Sequence, residues 1–321
     1  MKHLLVALVV TVPLLGPVFA ARSQDATPVQ AAQVYDESAD ARAVLDAALV
    51  RATKENKRVL IQWGANWCGW CRTLHGVMTK NAEVSRKLLY EYEVVRVDVG
   101  RFDKNMELAR SLGADFKGIP YLTILDAQRT PLAQHDTVAF EVAESNSHDP
   151  KKLVEFLTAH QAKYLDANAV REAAFELARK DGKRVFLHFG APWCGWCHKL
   201  EGWMAQPDVR ALLEKDFVDL KIDTDRMLGG AELLKSARAL SGSKEGGIPW
   251  FVLCAADGKQ LATSDGADGN IGFPYKDQEI AHFVGMLAAA KLRLTDAEIE
   301  VLRKSLVALR EADERKKNAG R

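Results

Sequence analysis

The sequence predicts an α/β protein of two successive α/β/α sandwiches, each with a central mixed sheet, followed by a C-terminal helix. Three observations predict it. The segment "KRVLIQWGANWCGWCRTLHGVM" (Lys57–Met78) lies over "KRVFLHFGAPWCGWCHKLEGWM" (Lys183–Met204) at an offset of 126. Strand-length apolar runs and segments of helical period alternate in the same order around both copies. An apolar content of 48% over 321 residues is ample for one core per domain.

The match extends well beyond the cysteines. Upstream, "AALVRATKENKR" matches "AAFELARKDGKR"; downstream, "VRVDV" matches "LKIDT". Then "GIPYLTIL" (Gly118–Leu125) matches "GIPWFVLC" (Gly247–Cys254) at an offset of 129, so the second copy carries extra residues in "ALSGSKEGG". This is duplication on the scale of a domain, not a short solenoid repeat.

Taken in order, the chain opens on "MKHLLVALVVTVPLLGPVFAARSQ", with Lys2 ahead of a charge-free run that ends in "VFA". That pattern predicts a signal peptide over 1–20, cut after Ala20. Pro13, Gly16 and Pro17 break a run already at the short limit for a membrane span. The expectation is a periplasmic or secreted protein with no stable membrane insertion after cleavage. The first domain is placed at 31–163, the second at 164–293 and a charged helix or tail at 294–321.

Each domain begins with a helix whose apolar residues recur at helical spacing, Ala43–Thr53 and Val170–Lys180. A buried strand follows (Val59–Trp63; Val185–Phe189), then the WCGWC turn and a helix over about Cys68–Met78 and Cys194–Met204. A strand (Val94–Val99; Val218–Asp223), a helix (Met106–Leu112; Ala231–Leu240) and a strand opened by Gly-Ile-Pro (Tyr121–Leu125; Trp250–Cys254) come next. A turn, a last strand and a helix close each unit; Asp149-Pro150 reads as the N-cap and first residue of the closing helix. Two parallel strands joined through the WCGWC helix need a right-handed crossover. In the tail, Thr295 and Glu298 fit a capping box, and Ile299, Leu302, Leu306 and Leu309 line one face. That face suits packing on the second domain or on a partner helix.

The net charge of +1 gives no basic face for nucleic acid. Four of the five cysteines lie in the two WCGWC stretches, where a redox pair, a metal clip and a structural staple all remain open. Cys254, the fifth, falls on Leu125 of the other copy and reads as a small buried apolar residue.

A WCxxC that follows a buried strand and opens a helix, with Gly-Ile-Pro about fifty residues on, resembles the thioredoxin family. The resemblance covers both copies. It implies thiol–disulfide exchange on protein or peptide disulfides, no cofactor, and an electron donor such as a membrane thiol reductase. Cys68 and Cys194 would be the nucleophiles, since a helix N-terminus favours the thiolate. Cys71 and Cys197, one turn on, would resolve the mixed disulfide. Pro120 and Pro249, with Ile119 and Ile248 before them, match the proline that is cis in the family and lies beside the cysteines. Trp67, Gly69, Trp70, Trp193, Gly195 and Trp196 complete the expected substrate rim.

One family position departs. Thioredoxins commonly carry a buried Asp six residues before the first cysteine, where it moves the resolving cysteine's proton. Here that position is Gln62 in the first copy and His188 in the second. Gln62 cannot accept a proton; His188 is the candidate for proton transfer. Two rival readings stand beside exchange. One is a soft-metal (copper or zinc) thiolate site, for which Met78 and Met204 are the matched extra ligands. The other is a chaperone that holds substrates on the same fold. No metal is assigned.

Overall fold

Asp40 caps the first helix, α1 (Ala41–Glu55), its carboxylate accepting the amides of Arg42 and Ala43. Leu45, Ala48, Leu49 and Ala52 form the buried face of α1, and the helix stops at Asn56 in the left-handed conformation (φ 50°). The computed structural model describes residues 33–142, 144–243 and 245–319. The signal peptide expected at 1–20 lies outside them.

β1 (Arg58–Gly64) follows α1 and is buried along six of its seven residues, as a central strand must be. The chain continues through α2 (Gly69–Lys80), α3 (Ala82–Glu91) and β2 (Tyr92–Asp98), which pairs parallel to β1. Then come α4 (Met106–Ser111), β3 (Tyr121–Leu125) and β4 (Pro131–Asp136), both antiparallel to their neighbours. A ribbon, β5 (Glu141–Val142) with β6 (Ser147–His148), and α5 (Pro150–His160) complete the first half. The sheet order is β2-β1-β3-β4. Pleating sends Val59, Ile61 and Trp63 to the α1/α4 face, and Leu60, Leu122 and Ile124 to the face under α2, α3 and α5.

The second half repeats this plan. Asp166 caps α6 (Ala167–Asp181), then come β7 (Arg184–Gly190), α7 (Gly195–Met204), α8 (Pro207–Asp216), β8 (Phe217–Asp223) and α9 (Gly230–Ser241). β9 (Trp250–Cys254), β10 (Gln260–Thr263), a ribbon of β11 (Asp265–Gly266) and β12 (Gly269–Asn270), and α10 (Asp277–Ala290) close it. Its sheet, β10-β9-β7-β8, has the same order and directions.

Two helices were not anticipated. The sequence reading passes from the WCGWC helix to the next strand, whereas α3 and α8 intervene. Asn81 leaves the helical conformation (φ −79°, ψ 121°), ends α2 and caps α3 by accepting the amides of Glu83 and Val84. In the second half, Pro207 occupies the first turn of α8, where its missing N–H costs nothing.

α11 (Asp296–Ala319) starts at the expected box: the Thr295 amide donates to Glu298 Oε2 (3.0 Å) and the Glu298 amide to Thr295 Oγ1 (3.3 Å). Its Ile299, Leu302 and Leu306 are buried in the core of α7, α8 and α10, each contributing about 1.5–3 kcal/mol by burial. The Trp203 indole donates to Ser305 Oγ (2.9 Å). The apolar face of the tail is therefore spent on the second half. No helix among the described residues is long and apolar enough to cross a membrane.

One arginine joins the halves. Arg226, just after β8, donates to the carbonyls of Glu55 (2.7 Å) and Asn56 (2.8 Å) at the C-terminus of α1. It also pairs with Glu91 (3.1 Å), and both side chains are buried. Tyr164 donates its hydroxyl to the other Glu91 oxygen (2.6 Å). A helix C-terminus leaves carbonyls without partners, and a guanidinium fork satisfies two of them at once.

Candidate active sites

Each WCGWC stretch sits where a parallel strand turns into a helix. Cys68 and Cys194 are the N-cap residues of α2 and α7. The Cys71 amide donates to Cys68 Sγ (3.0 Å), and the Cys197 amide to Cys194 Sγ (3.1 Å). The sulfur thus occupies the place that a capping oxygen takes in other helices. A thiolate there gains a hydrogen bond and the positive end of the helix dipole. Both pairs are closed as disulfides, Cys68–Cys71 and Cys194–Cys197.

Ile119–Pro120 and Ile248–Pro249 are cis. The carbonyls of Ile119 and Ile248 lie 3.5 Å from Cys68 Sγ and Cys194 Sγ. Gly69 and Gly195 have open space where a side chain would project. Of the rim tryptophans, Trp67, Trp193 and Trp196 are about half exposed. The Trp67 indole donates to the Gly100 carbonyl (2.8 Å) and the Trp193 indole to Asp225 (3.0 Å), so each stands upright beside its cysteines.

The two inner tryptophans have different surroundings. Trp70 meets the buried His148 of β6 edge-on at 5.3 Å. Burial pulls the His148 pKa down to about 4, and neither ring nitrogen has a partner among the described residues. Trp196 stacks on Phe273 (6.1 Å) and meets Tyr275 edge-on (5.8 Å). The Lys199 ammonium lies near all three rings, at 4.8–5.5 Å from their centres, and pairs with Asp313 of α11. Beside them opens a cavity of about 260 Å³, lined by Trp196, Ile248, Pro249, Ile271, Phe273 and Tyr275. A larger cavity, about 460 Å³, lies between α6 and α9 over Cys254 and touches neither cysteine pair.

Behind the cysteines the halves differ again. His188, the proton-transfer candidate, directs Nε2 to Asp219 (2.9 Å), and no hydrogen bond joins it to Cys197. Glu201, one turn further along α7, stands behind Cys197 across Gly190. A methyl built on Gly190 would lie 3.4 Å from Cys197 Sγ and 3.6 Å from Glu201 Oε1. Lys221 Nζ approaches both Glu201 oxygens at 2.8–2.9 Å. In the first half the same point, at Gly64, faces Cys71 Sγ at 3.0 Å and would collide with the Tyr35 hydroxyl. Gln62 is fully buried, and its amide nitrogen is 3.5 Å from the Cys71 carbonyl.

Tyr35 and Glu201 were not among the residues singled out from sequence. Glu201 had a signal: it aligns with His75, so a charge changes four residues past the second cysteine. Tyr35 lies ahead of α1, outside the segments that align. Its signal is Asn66, which aligns with Pro192. The Asn66 side chain takes the amides of Val34 and Tyr35 (2.9 and 3.0 Å) and donates to the Tyr35 carbonyl (2.9 Å). Proline has no such group.

The other expectations resolve simply. Cys254 is buried, and burial pushes its thiol up to about 12, which leaves it inert. Met78 and Met204 are spent in the cores. One cluster among the described residues has metal-ligand spacing: Glu55, His198 and Glu201, with ligating atoms within 4.8 Å. Lys57 pairs with Glu55 (2.7 Å) and Lys221 with Glu201, so two ammonium groups already neutralise it.

Comparison with known proteins agrees with this architecture. A family model described as thioredoxin-like matches residues 40–127. A second, for a DsbH-type thioredoxin family described as a protein of unknown function, DUF255, matches residues 148–290. Together they take in both cysteine pairs and most of the chain. The chain belongs to the thioredoxin-like family. It is 28% identical over 243 residues to protein disulfide-isomerase 1 of Dictyostelium discoideum, covering 72% of this chain and 61% of that protein. It is 26% identical over 184 residues to protein disulfide-isomerase erp38 of Neurospora crassa, covering 55% and 46%. A solved disulphide isomerase from Xylella fastidiosa Temecula1 is 30% identical, covering 40% of this chain and 95% of that one, with a TM-score of 0.35. The chain spans about half the length of the curated relatives it matches.

Proposed function

We propose that this thioredoxin-like protein is an exported thiol–disulfide oxidoreductase that reduces or isomerises protein disulfides through two dithiol sites. The observation that carries the reading is the capping sulfur. In both halves the first cysteine caps the helix, receives the amide of the second, and faces the carbonyl that precedes a cis proline. In the reduced state the Cys68 or Cys194 thiolate attacks a substrate sulfur. The substrate S–S bond breaks, and one substrate sulfur leaves with the electron pair. The second cysteine then gives up its proton and attacks the mixed disulfide; the other substrate sulfur leaves as a thiolate and the site closes as a disulfide. An external dithiol, such as a membrane thiol reductase, reopens it.

The peptide stretch around the substrate cysteine is placed along the Ile-Pro segments, between the exposed tryptophans. Trp67, Trp70, Ile119 and Pro120 serve the first site, and Trp193, Trp196, Ile248 and Pro249 the second. Export rests on the N-terminal pattern over 1–20. Insulin reduction followed by turbidity tests the reading. Cys68→Ser and Cys194→Ser should each silence one site, and the double variant should show no activity above buffer. Full activity in the double variant would overturn the assignment.

A further inference from the structure

Identical WCGWC motifs back onto different chemistry. Behind Cys71 stands the Tyr35 hydroxyl, a donor. Tyr35 is fully buried, packs with Cys68 and Cys71, and its hydroxyl has no partner among the described residues. Gly64 allows the close approach, because any side chain there would displace the phenol. Behind Cys197 the corresponding group is the Glu201 carboxylate, an acceptor.

The charges around each follow the same division. Arg96 and Asp98 of β2 are the charges facing Tyr35; Gln62 of β1 lies at the Cys71 carbonyl, and His75 of α2 faces Arg96. Asp98 is taken by Lys104 (3.4 Å). Burial and then the Arg96 charge pull the His75 pKa down, so the ring is neutral at physiological pH. Arg96 has no carboxylate partner among the described residues. Around Glu201 stand Lys221 of β8, His198 of α7 and Glu55 of the first half; beyond them Asp219 of β8 pairs with His188 of β7, and Lys57 with Glu55. Lys221, which pairs in register with His188 as Arg96 pairs with Gln62, is neutralised by Glu201. The first pair thus has an uncompensated cation behind it and the second an ion pair.

We propose that the Tyr35 hydroxyl is the hydrogen-bond donor to the Cys71 thiolate, that Glu201 plays the opposite part as acceptor behind Cys197, and that the first pair is therefore the more oxidising of the two. This rests on the exchange reading above. At the first site, a donor thiolate attacks Cys68 Sγ, the Cys68–Cys71 bond breaks, and Cys71 leaves with the electron pair. The Tyr35 O–H donates to that thiolate and keeps its proton, since burial raises the phenol's pKa above its ordinary value. The donor's second thiolate then displaces Cys68, and the donor is oxidised as the pair is reduced. Stabilising the thiolate stabilises the reduced form and raises the potential. At the second site, the Cys197 thiol passes its proton to Glu201 and attacks Cys194 Sγ of the mixed disulfide; the Cys194–substrate bond breaks, the substrate sulfur leaves with the electron pair, and Cys194–Cys197 closes. The carboxylate opposes a lasting thiolate and favours the closed disulfide. Tyr35 packs against Cys71 and Glu201 stands behind Cys197 across Gly190, so their effect reads out in the equilibrium between dithiol and disulfide.

The test uses the full chain with one pair at a time, Cys194→Ser/Cys197→Ser for the first site and Cys68→Ser/Cys71→Ser for the second. Each is equilibrated with glutathione, and the oxidised fraction is read by alkylation and mass. The first pair should have the smaller oxidation constant. Tyr35→Phe should raise that constant three- to ten-fold, about 15–30 mV for a two-electron couple. It should also raise the titration midpoint of Cys71 followed by ¹³Cβ shift, with the second pair unchanged. Glu201→Gln should move the second pair the other way. Equal constants for the two pairs, or a folded Tyr35→Phe variant with both readouts unmoved, would overturn the proposal. Failure of either pair to equilibrate with glutathione would overturn the exchange reading and the proposal with it.

Discussion

The two WCGWC faces carry the same five residues and present them differently. In the first half Trp70 rests against a buried histidine supplied by the β5–β6 ribbon. In the second half Trp196 joins Phe273 and Tyr275 around Lys199, at the mouth of a cavity beside Pro249. The aromatic partners of Trp196 come from the segment between β12 and α10, and the cation is tied down by α11. A motif fixes the nucleophile and its helix; the segments that close each sheet decide what surrounds it.

The largest effect expected from breaking this pairing of unlike halves is at their junction. Arg226→Ala leaves Glu91 buried without its cation and two α1 carbonyls without a donor. It should destabilise the protein by about 3–5 kcal/mol, measured by urea denaturation. A loss below about 1 kcal/mol would show that the halves are joined mainly by other contacts.

His148 separates the halves by pH. Its pKa, pulled by burial to about 4 from the ordinary 6.5, means that the unfolded chain takes up a proton that the folded one refuses. Stability is therefore unaffected above pH 6.5, falls as pH drops toward 4, and levels off below. The loss, on the order of 1–2 kcal/mol after allowance for partial solvent access, should appear in the first half alone. Hydrogen exchange resolved by peptide reads it, and His148→Phe should flatten the slope.

Substrate contacts sharpen the contrast at a smaller scale. Trp196→Ala removes one wall of the cavity and should raise KM at the second site about five-fold for a peptide with an aromatic residue beside its cysteine, near 1 kcal/mol. Trp70→Ala should change KM for the same peptide less. Equal effects would mean that the Phe273–Tyr275 cluster selects nothing. The smallest change expected is Ser305→Ala, which costs the Trp203 indole its partner and should lower stability by roughly 1 kcal/mol.

Much of this was legible in the sequence, and what was not has physical reasons. The strand–helix order, the helix-capping cysteines and the α11 box follow from local pattern, because periodicity and capping residues act within a few positions. α3 and α8 were missed although Asn81 and Pro207 announce them, since a second helix after the WCGWC helix breaks no pattern. His188 drew attention because it fills a family position, yet its ring turns to Asp219. Glu201 and Tyr35 reach the same spot from one turn along a helix and from a segment ahead of the fold. Only the packed structure shows that Gly64 leaves room for the Tyr35 phenol and that Glu201 comes within ordinary contact of the matching point at Gly190.

The arginine that bridges the halves also bears on how such a chain can be rearranged. Once Arg226 closes the end of α1, excision of either half exposes a cost: the first is left with an open helix end and an unmatched Glu91, the second with a bare guanidinium. Neither half can then be moved without redesigning that joint, so the two halves stand or fall as one piece.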